Sequence, residues 1–167
     1  ASIGAFLAAD KDIIDYLKYN LRSQMFAKAL PMIQTIGALK RLQLLRDNPG
    51  LKDKLWENVD ALQSGLREKG FNIGDTNTCV TPVYLEGSIP EAMIMVNDLR
   101  ENYNIFLSIV VYPVIPKGII LLRMIPTASH TLADIDETLT AFEAIREKLI
   151  GGTYKEIAAR TKVDLDA

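Results

Sequence analysis

The first seventy residues carry apolar side chains at helical spacing, preceded by a short apolar run. Residues 4–9 are small and apolar, which predicts a short buried strand. Apolar positions three or four apart then predict a helix over 11–21, an irregular segment over 23–31, and two further helices over 31–47 and 51–69. Because a Pro-Gly break separates the last two, they could form an antiparallel hairpin or one long bent rod.

The second half alternates between apolar strands and helices. Pro82 lies inside the first of these strands and cannot donate to a ladder, so that strand is predicted at a sheet edge. Thr131 and Asp134 have the spacing of a capping box, which marks the start of the last long helix. In chain order the prediction is a strand over 79–85, a helix from Pro90, strands over 105–112 and 119–125, and a helix over 131–150.

Three strands with helices on one side predict an α+β fold. The expected unit has two layers, with a three-stranded, mainly antiparallel sheet and its helices on one face. A strand and long helices precede this unit. The residues after Gly152 are polar, so we expect them to form a loosely attached tail.

Composition excludes several classes of protein. The 167 residues include 19 Lys or Arg and 21 Asp or Glu, a formal net charge of −2, which argues against a nucleic-acid partner. One cysteine, Cys79, excludes a disulfide framework, and with a single histidine, His130, it argues against a metal site. The longest uncharged apolar stretch, 103–116, is shorter than the ~20 residues of a membrane-spanning helix, so a cytoplasmic location is the default expectation.

One residue stands out as candidate chemistry. Arg123 lies in the apolar strand 119–125, where a guanidinium needs solvent, an acidic partner or an anionic ligand. An arginine binds a carboxylate through two parallel hydrogen bonds, but a salt bridge to a nearby acid would satisfy it equally well. His130 and Cys79 have no catalytic partners in the sequence and are interpreted as structural.

Four segments together resemble the α-oxoamine synthases, pyridoxal-phosphate enzymes of fold type I. They are ASIGAFLAAD at 1–10, QMFAKALP at 24–31, YPVIPKG at 112–118 and RMIPTASHT at 123–131. The chain resembles the C-terminal third of these enzymes, which include serine palmitoyltransferase, glycine C-acetyltransferase and 8-amino-7-oxononanoate synthase. Each segment alone would be a weak signal.

The resemblance implies a division of the chain and places the cofactor lysine outside it. Residues 1–30 would be a remnant of the large cofactor domain, 31–50 a long linking helix, 51–150 the α+β small domain and 151–167 the polar tail. The Schiff-base lysine would lie shortly before Ala1, so we expect no catalytic residue in this chain and no activity from it alone. Pyridoxal 5'-phosphate would be the cofactor of the full-length enzyme, which we expect to be a homodimer.

The resemblance also implies a reaction and a role for Arg123. The full-length enzyme would condense glycine or serine with an acyl-CoA and release CO2, with Arg123 clamping the amino-acid carboxylate. Val111 stands where some members carry another arginine, which makes a longer acidic acyl chain a poorer candidate. The alternative is a stand-alone α+β module for small-molecule binding or oligomerisation, without catalysis.

Overall fold

A computed structural model describes residues 3–161 of the chain. These residues form two compact units, and the boundary between them falls between Pro49 and Gly50. Among residues 3–161, no helix is both long enough and apolar enough to cross a bilayer.

The first unit consists of three helices and connecting segments. They are α1 (Lys11–Asn20), α2 (Arg22–Phe26) and α3 (Met32–Asp47). The prediction of a buried strand over 4–9 is wrong, because this segment pairs with no strand and is exposed. A strand needs a neighbouring strand to satisfy its backbone groups, and residues 3–49 contain none.

The apolar side chains of the first unit lie at its surface. None of its three helices has a buried residue, although α3 alone carries six exposed leucines or isoleucines. Phe6 is 95% exposed and Phe26 is 73% exposed. An apolar surface of this extent is typical of an interface rather than of a free surface.

A three-stranded antiparallel sheet lies at the centre of the second unit. Its strands are β1 (Thr81–Glu86), β2 (Ser108–Val110) and β3 (Ile119–Met124), in the order β1-β3-β2. The edge position predicted for the strand that contains Pro82 is confirmed. The strand expected over 105–112 is shorter than predicted, because only residues 108–110 of that segment, which form β2, pair with β3.

Four helices complete this unit: α4 (Gly50–Glu68), α5 (Ile89–Tyr103), α6 (Leu132–Ile150) and α7 (Thr153–Thr161). The capping box predicted at Thr131 and Asp134 is present at the start of α6. A second capping box, formed by Ser88 and Glu91, starts α5. Both boxes satisfy backbone N–H groups that would otherwise have no partner.

The core lies on one face of the sheet. Val83, Ile120 and Leu122 are fully buried there and belong to the same cluster as Leu99 of α5 and Phe142 of α6. Successive side chains of a strand point to opposite faces, so the residues between them lie on the other face. The predicted α+β fold, a small antiparallel sheet with helices packed on one face, is confirmed.

The expectation of a loose polar tail after Gly152 is wrong for 153–161. These residues form α7, which packs on α5 and α6, and its Tyr154 is only 1% exposed. Tyr154 is the one buried residue within 153–160, so the segment has no apolar periodicity that would predict a packed helix. Residues 162–167 of the predicted tail lie outside the described residues.

Candidate functional site

Arg123 lies on the face of the sheet that is turned away from the core. It is the fifth residue of β3, between the buried Leu122 and Met124, and its own side chain is exposed. The two-residue period of the strand therefore directs the guanidinium away from the packed helices. The buried alternate positions account for part of the apolar sequence around Arg123, and the half-buried Ile119 and Leu121 precede it on its own face.

The cross-strand neighbours of Arg123 are Ser108 on β2 and Pro82 on β1. The guanidinium Nε donates a hydrogen bond to Ser108 Oγ at 3.0 Å. None of the ion pairs among residues 3–161 involves Arg123. The salt bridge that the sequence left open is therefore not formed within the described part of the chain.

This arrangement leaves both terminal nitrogens of the guanidinium for a ligand. A guanidinium carries five N–H donors in a rigid plane, and only the Nε–H is engaged by a side chain here. The two Nη atoms form a fork that matches a carboxylate with two parallel hydrogen bonds. Arg123 thus has the geometry to bind and orient an anionic group.

A tight turn after β3 leads into α6 and is held from inside the unit. The backbone N–H of Thr127 donates to His130 Nδ1 at 2.9 Å. From α4, the buried Asn58 amide donates to the carbonyls of Thr127 at 3.0 Å and His130 at 2.8 Å. These contacts hold the turn together, which is consistent with the structural role expected for His130.

Sequence reasoning missed Asn58. It is 0% exposed, and its Oδ1 has no hydrogen-bond partner within residues 3–161. The one available signal was its position next to the apolar stripe of α4 that includes Val59 and Leu62. A polar residue beside such a stripe is usually solvated, so the spacing gave no reason to single it out.

The stiff loop 112–118 joins β2 to β3. Its lysine, Lys117, lies with Nζ 5.0 Å from the centre of the Tyr112 ring. Gly118 has φ +86° and its carbonyl accepts from Gly87 N–H at 2.9 Å, which ties the loop to the end of β1. The loop is thus the connection between two neighbouring antiparallel strands.

A cavity of about 310 Å³ lies on the core side, between the end of β3, the segment before β2 and the start of α6. His130, Asp134 and Glu137 contribute polar groups to it, and Phe106 and Met124 contribute apolar surface. Arg123 does not line this cavity. The cavity is therefore separate from the candidate carboxylate site on the opposite face of the sheet.

A second polar cluster joins the helices α5, α6 and α7. Asp98 Oδ2 accepts from Lys148 Nζ at 2.7 Å and from Tyr154 Oη at 2.6 Å, and Asn102 donates to Oδ1 at 2.7 Å. Burial would raise the pKa of Asp98, but these three hydrogen bonds outweigh it and the pKa is lowered. Burial, together with the hydrogen bond to Asp98, raises the pKa of Tyr154.

This cluster is a structural contact between helices. The hydrogen bond to Asp98 also raises the pKa of Lys148, so the pair stays charged at neutral pH.

Cys79 is a free, half-buried thiol. Within residues 3–161, no group of three or more His, Cys, Asp or Glu side chains is placed to hold a metal ion.

Comparison with known proteins identifies the family. The aminotransferase class I and II family matches residues 1–142. The chain belongs to the aminotransferase class I and II family. The relatives it matches are α-oxoamine synthases, so the resemblance found in the sequence is confirmed.

Three curated relatives of this family illustrate the match. The chain is 70% identical over 159 residues to a cysteate-C-fatty acyltransferase of Capnocytophaga ochracea, a match that covers 95% of this chain and 38% of that protein. It is 38% identical to an 8-amino-7-oxononanoate synthase of Petrotoga mobilis, covering 88% of this chain and 37% of that protein. It is 33% identical to a serine palmitoyltransferase of Sphingobacterium spiritivorum, and this match covers 83% of this chain and 34% of that protein. The chain thus spans less than two fifths of the length of these relatives.

Solved structures of the family share the fold. A serine palmitoyltransferase with its pyridoxal-phosphate internal aldimine superposes with a TM-score of 0.68 at 26% identity, covering 81% of this chain and 34% of that one. An 8-amino-7-oxononanoate synthase of Francisella tularensis gives a TM-score of 0.66, and the superposition covers 86% of this chain and 41% of that one. At 21% identity, the second likeness concerns the fold alone.

The family implies pyridoxal phosphate, and the cavity beside α6 does not fit its phosphate group. The cavity beside α6 has no lysine or arginine in its lining, and its Asp134 and Glu137 would repel a phosphate. Arg123 lies on the other face of the sheet. This cavity is therefore a poor fit for the phosphate group of the cofactor.

Proposed function

We propose that the protein containing this chain is a pyridoxal-phosphate-dependent amino-acid C-acyltransferase, and that Arg123 binds the carboxylate of its amino-acid substrate. The observation that carries this proposal is the exposed guanidinium of Arg123, held at Nε and without an acidic partner in 3–161. Family membership supplies the class of reaction.

We propose cysteate as the amino acid and a fatty acyl-CoA as the acyl donor. The support is the 70% identity, over 95% of this chain, to a protein named for acylation of cysteate with a fatty acyl group. The sequence alone led to glycine or serine, and all three amino acids share the α-carboxylate that Arg123 would bind. Glycine and serine are therefore the alternatives that the experiment must compare.

The work of this chain's residues is binding and orientation. The two Nη atoms of Arg123 would fix the plane of the carboxylate, and the rigid strand β3 would fix the position of the arginine. Orientation of this kind lowers the activation barrier of a reaction by roughly several kcal/mol. The family's cofactor, when bound, supplies the electron sink for carbanion chemistry.

A homodimer is part of the proposal. The exposed apolar side chains of the first unit, among them Phe6 and Phe26, favour burial against further protein. The same surface supports the alternative of an oligomerisation module without catalysis. The cytoplasmic location expected from the sequence stays a prediction.

The test is substitution of Arg123 in the full-length protein. Arg123→Gln removes a bidentate, charge-assisted contact and should raise the amino-acid KM roughly 100-fold, with the acyl-CoA KM unchanged. Arg100→Gln is the matched control, because Arg100 is an exposed arginine paired only with Glu101. An Arg123→Gln enzyme with unaltered amino-acid KM would remove Arg123 from the site.

Two further arms separate the alternatives. Binding of 2-aminoethanesulfonate, which is cysteate without its carboxylate, should be insensitive to Arg123→Gln; a loss would mean that Arg123 holds the sulfonate instead. Calorimetry of the isolated chain with cysteate, serine and glycine tests the stand-alone module. Saturable binding by the chain alone would favour that module over the enzyme.

A further inference from the structure

We propose that Ser108 is a positioning residue that selects which edge of the Arg123 guanidinium faces the substrate. The inference rests on the proposed function of Arg123. It assigns to Ser108 no contact with the substrate.

The two residues form a directly opposed cross-strand pair. Ser108 is the Cα partner of Arg123 in the β2–β3 register, and such pairs have Cβ atoms about 5 Å apart. The arginine chain must therefore pass beside the serine, where its Nε meets Ser108 Oγ at 3.0 Å. Strand pairing thus fixes the contact.

A guanidinium can receive a carboxylate on two different edges. One edge presents Nε with one Nη, and the other presents the two Nη atoms. Ser108 occupies the Nε–H, so the first edge is blocked and the second is left for the ligand. The hydroxyl therefore favours end-on binding of a carboxylate and opposes side-on binding.

Nothing on the other flank could replace Ser108. The opposite neighbour of Arg123 on β1 is Pro82, whose ring has no hydrogen-bonding group. Within residues 3–161, Ser108 is the side chain that hydrogen-bonds the guanidinium. Removing its hydroxyl would free the terminal torsions of an exposed arginine, and that freedom would have to be lost again on binding.

The position of Ser108 is itself well fixed, although β2 has only three residues. Leu107, immediately before it, is 6% exposed and belongs to the core cluster. Ile109, immediately after it, packs against the same cluster. Alternation then directs Ser108 to the open face of the sheet, the face that carries Arg123.

The experiment compares Ser108→Ala and Ser108→Thr in the full-length holoenzyme, with Ser64→Ala as the matched control on an exposed helix position. Binding of cysteate and of 2-aminoethanesulfonate is measured by calorimetry, and the KM values of cysteate and acyl-CoA are measured at steady state. Ser108→Ala should weaken cysteate binding about five- to tenfold, the scale of immobilising one rotamer-rich side chain on binding. The affinity for 2-aminoethanesulfonate and the KM of acyl-CoA should stay within about twofold of their values in the unsubstituted enzyme.

Rescue by threonine is the second readout. Threonine keeps the hydroxyl and suits a strand, so Ser108→Thr should bind cysteate within about twofold of the unsubstituted enzyme. A merely structural role would instead weaken both ligands equally in Ser108→Ala. Equal weakening, or unchanged cysteate binding, would overturn the proposal.

Failure of this inference is distinguishable from failure of the proposed function. If Arg123→Gln weakens cysteate and Ser108→Ala does not, only the positioning role is wrong. If neither change matters, Arg123 is not the carboxylate site. If the unsubstituted enzyme does not bind cysteate, the same comparison is made with serine and 2-aminoethanol, and only the choice of amino acid is overturned.

Discussion

The hydroxyl of Tyr154 should measurably stabilise the second unit. Tyr154 anchors α7, is 1% exposed, and donates to the Asp98 carboxylate at 2.6 Å. Tyr154→Phe removes that hydrogen bond and keeps the ring. Lys148 and Asn102 still satisfy Asp98, so the carboxylate is not left bare.

The expected loss follows from the kind of contact. A hydrogen bond to a charged group is worth about 1.5–3 kcal/mol, so Tyr154→Phe should lower the free energy of unfolding by about 2 kcal/mol. Tyr154→Ala also removes a buried ring and should cost roughly 3–5 kcal/mol. We therefore expect Tyr154→Ala to lower the free energy of unfolding more than Tyr154→Phe does, and this order tests the assignment as well as the size of either loss.

Urea unfolding followed by far-ultraviolet circular dichroism measures these losses. With a slope of about 2 kcal/mol per molar urea, Tyr154→Phe should lower the midpoint by about 1 M. Tyr19→Phe is the control, because Tyr19 is 79% exposed. Hydrogen exchange of the α7 amides detects local opening that the midpoint would not report. If Tyr154→Phe changes neither the midpoint nor the exchange of α7, the anchoring role is refuted.

Two other predictions concern the same unit. A methyl group at Gly65 would overlap the Leu139 side chain where α4 meets α6, so Gly65→Ala should cost about 1–3 kcal/mol in urea unfolding, whereas Gly50→Ala, with open space around it, should be close to neutral. The pKa of Asp98 is lowered in the folded state, so its stabilisation is present above the unfolded-state pKa and is lost as pH falls through the folded value. Asp98→Asn should therefore be less stable than the unsubstituted protein at pH 7, and that difference should shrink near pH 3; a constant difference would contradict the assignment.

Much of the second unit was predictable because its signals are local. The capping box at Thr131, the helix start near Pro90 and the edge position of Pro82 each depend on residues a few positions apart. Hydrogen-bonding chemistry at such short range is the same in any fold. The resemblance of four segments to the α-oxoamine synthases then indicated the class of reaction that we propose.

The features that escaped prediction depend on distant parts of the chain. The hydrogen bond between Arg123 and Ser108 forms because the strand register places the two residues opposite each other, and Asn58 is buried where α4 lies against the turn at 127–130. Tyr154 lies in a polar segment whose one buried ring gives no periodic pattern. The apolar residues 4–9 satisfied the composition of a strand without the partner that a strand requires.

The alternation along β3 has an evolutionary consequence. Insertion or deletion of a single residue before Arg123 within the strand would exchange its two faces, sending the guanidinium into the helices and Leu122 or Met124 into water. Folding and the carboxylate binding that we propose for Arg123 would then fail together, so we expect length changes among relatives in the connection at 112–118 and not in the six residues that follow it.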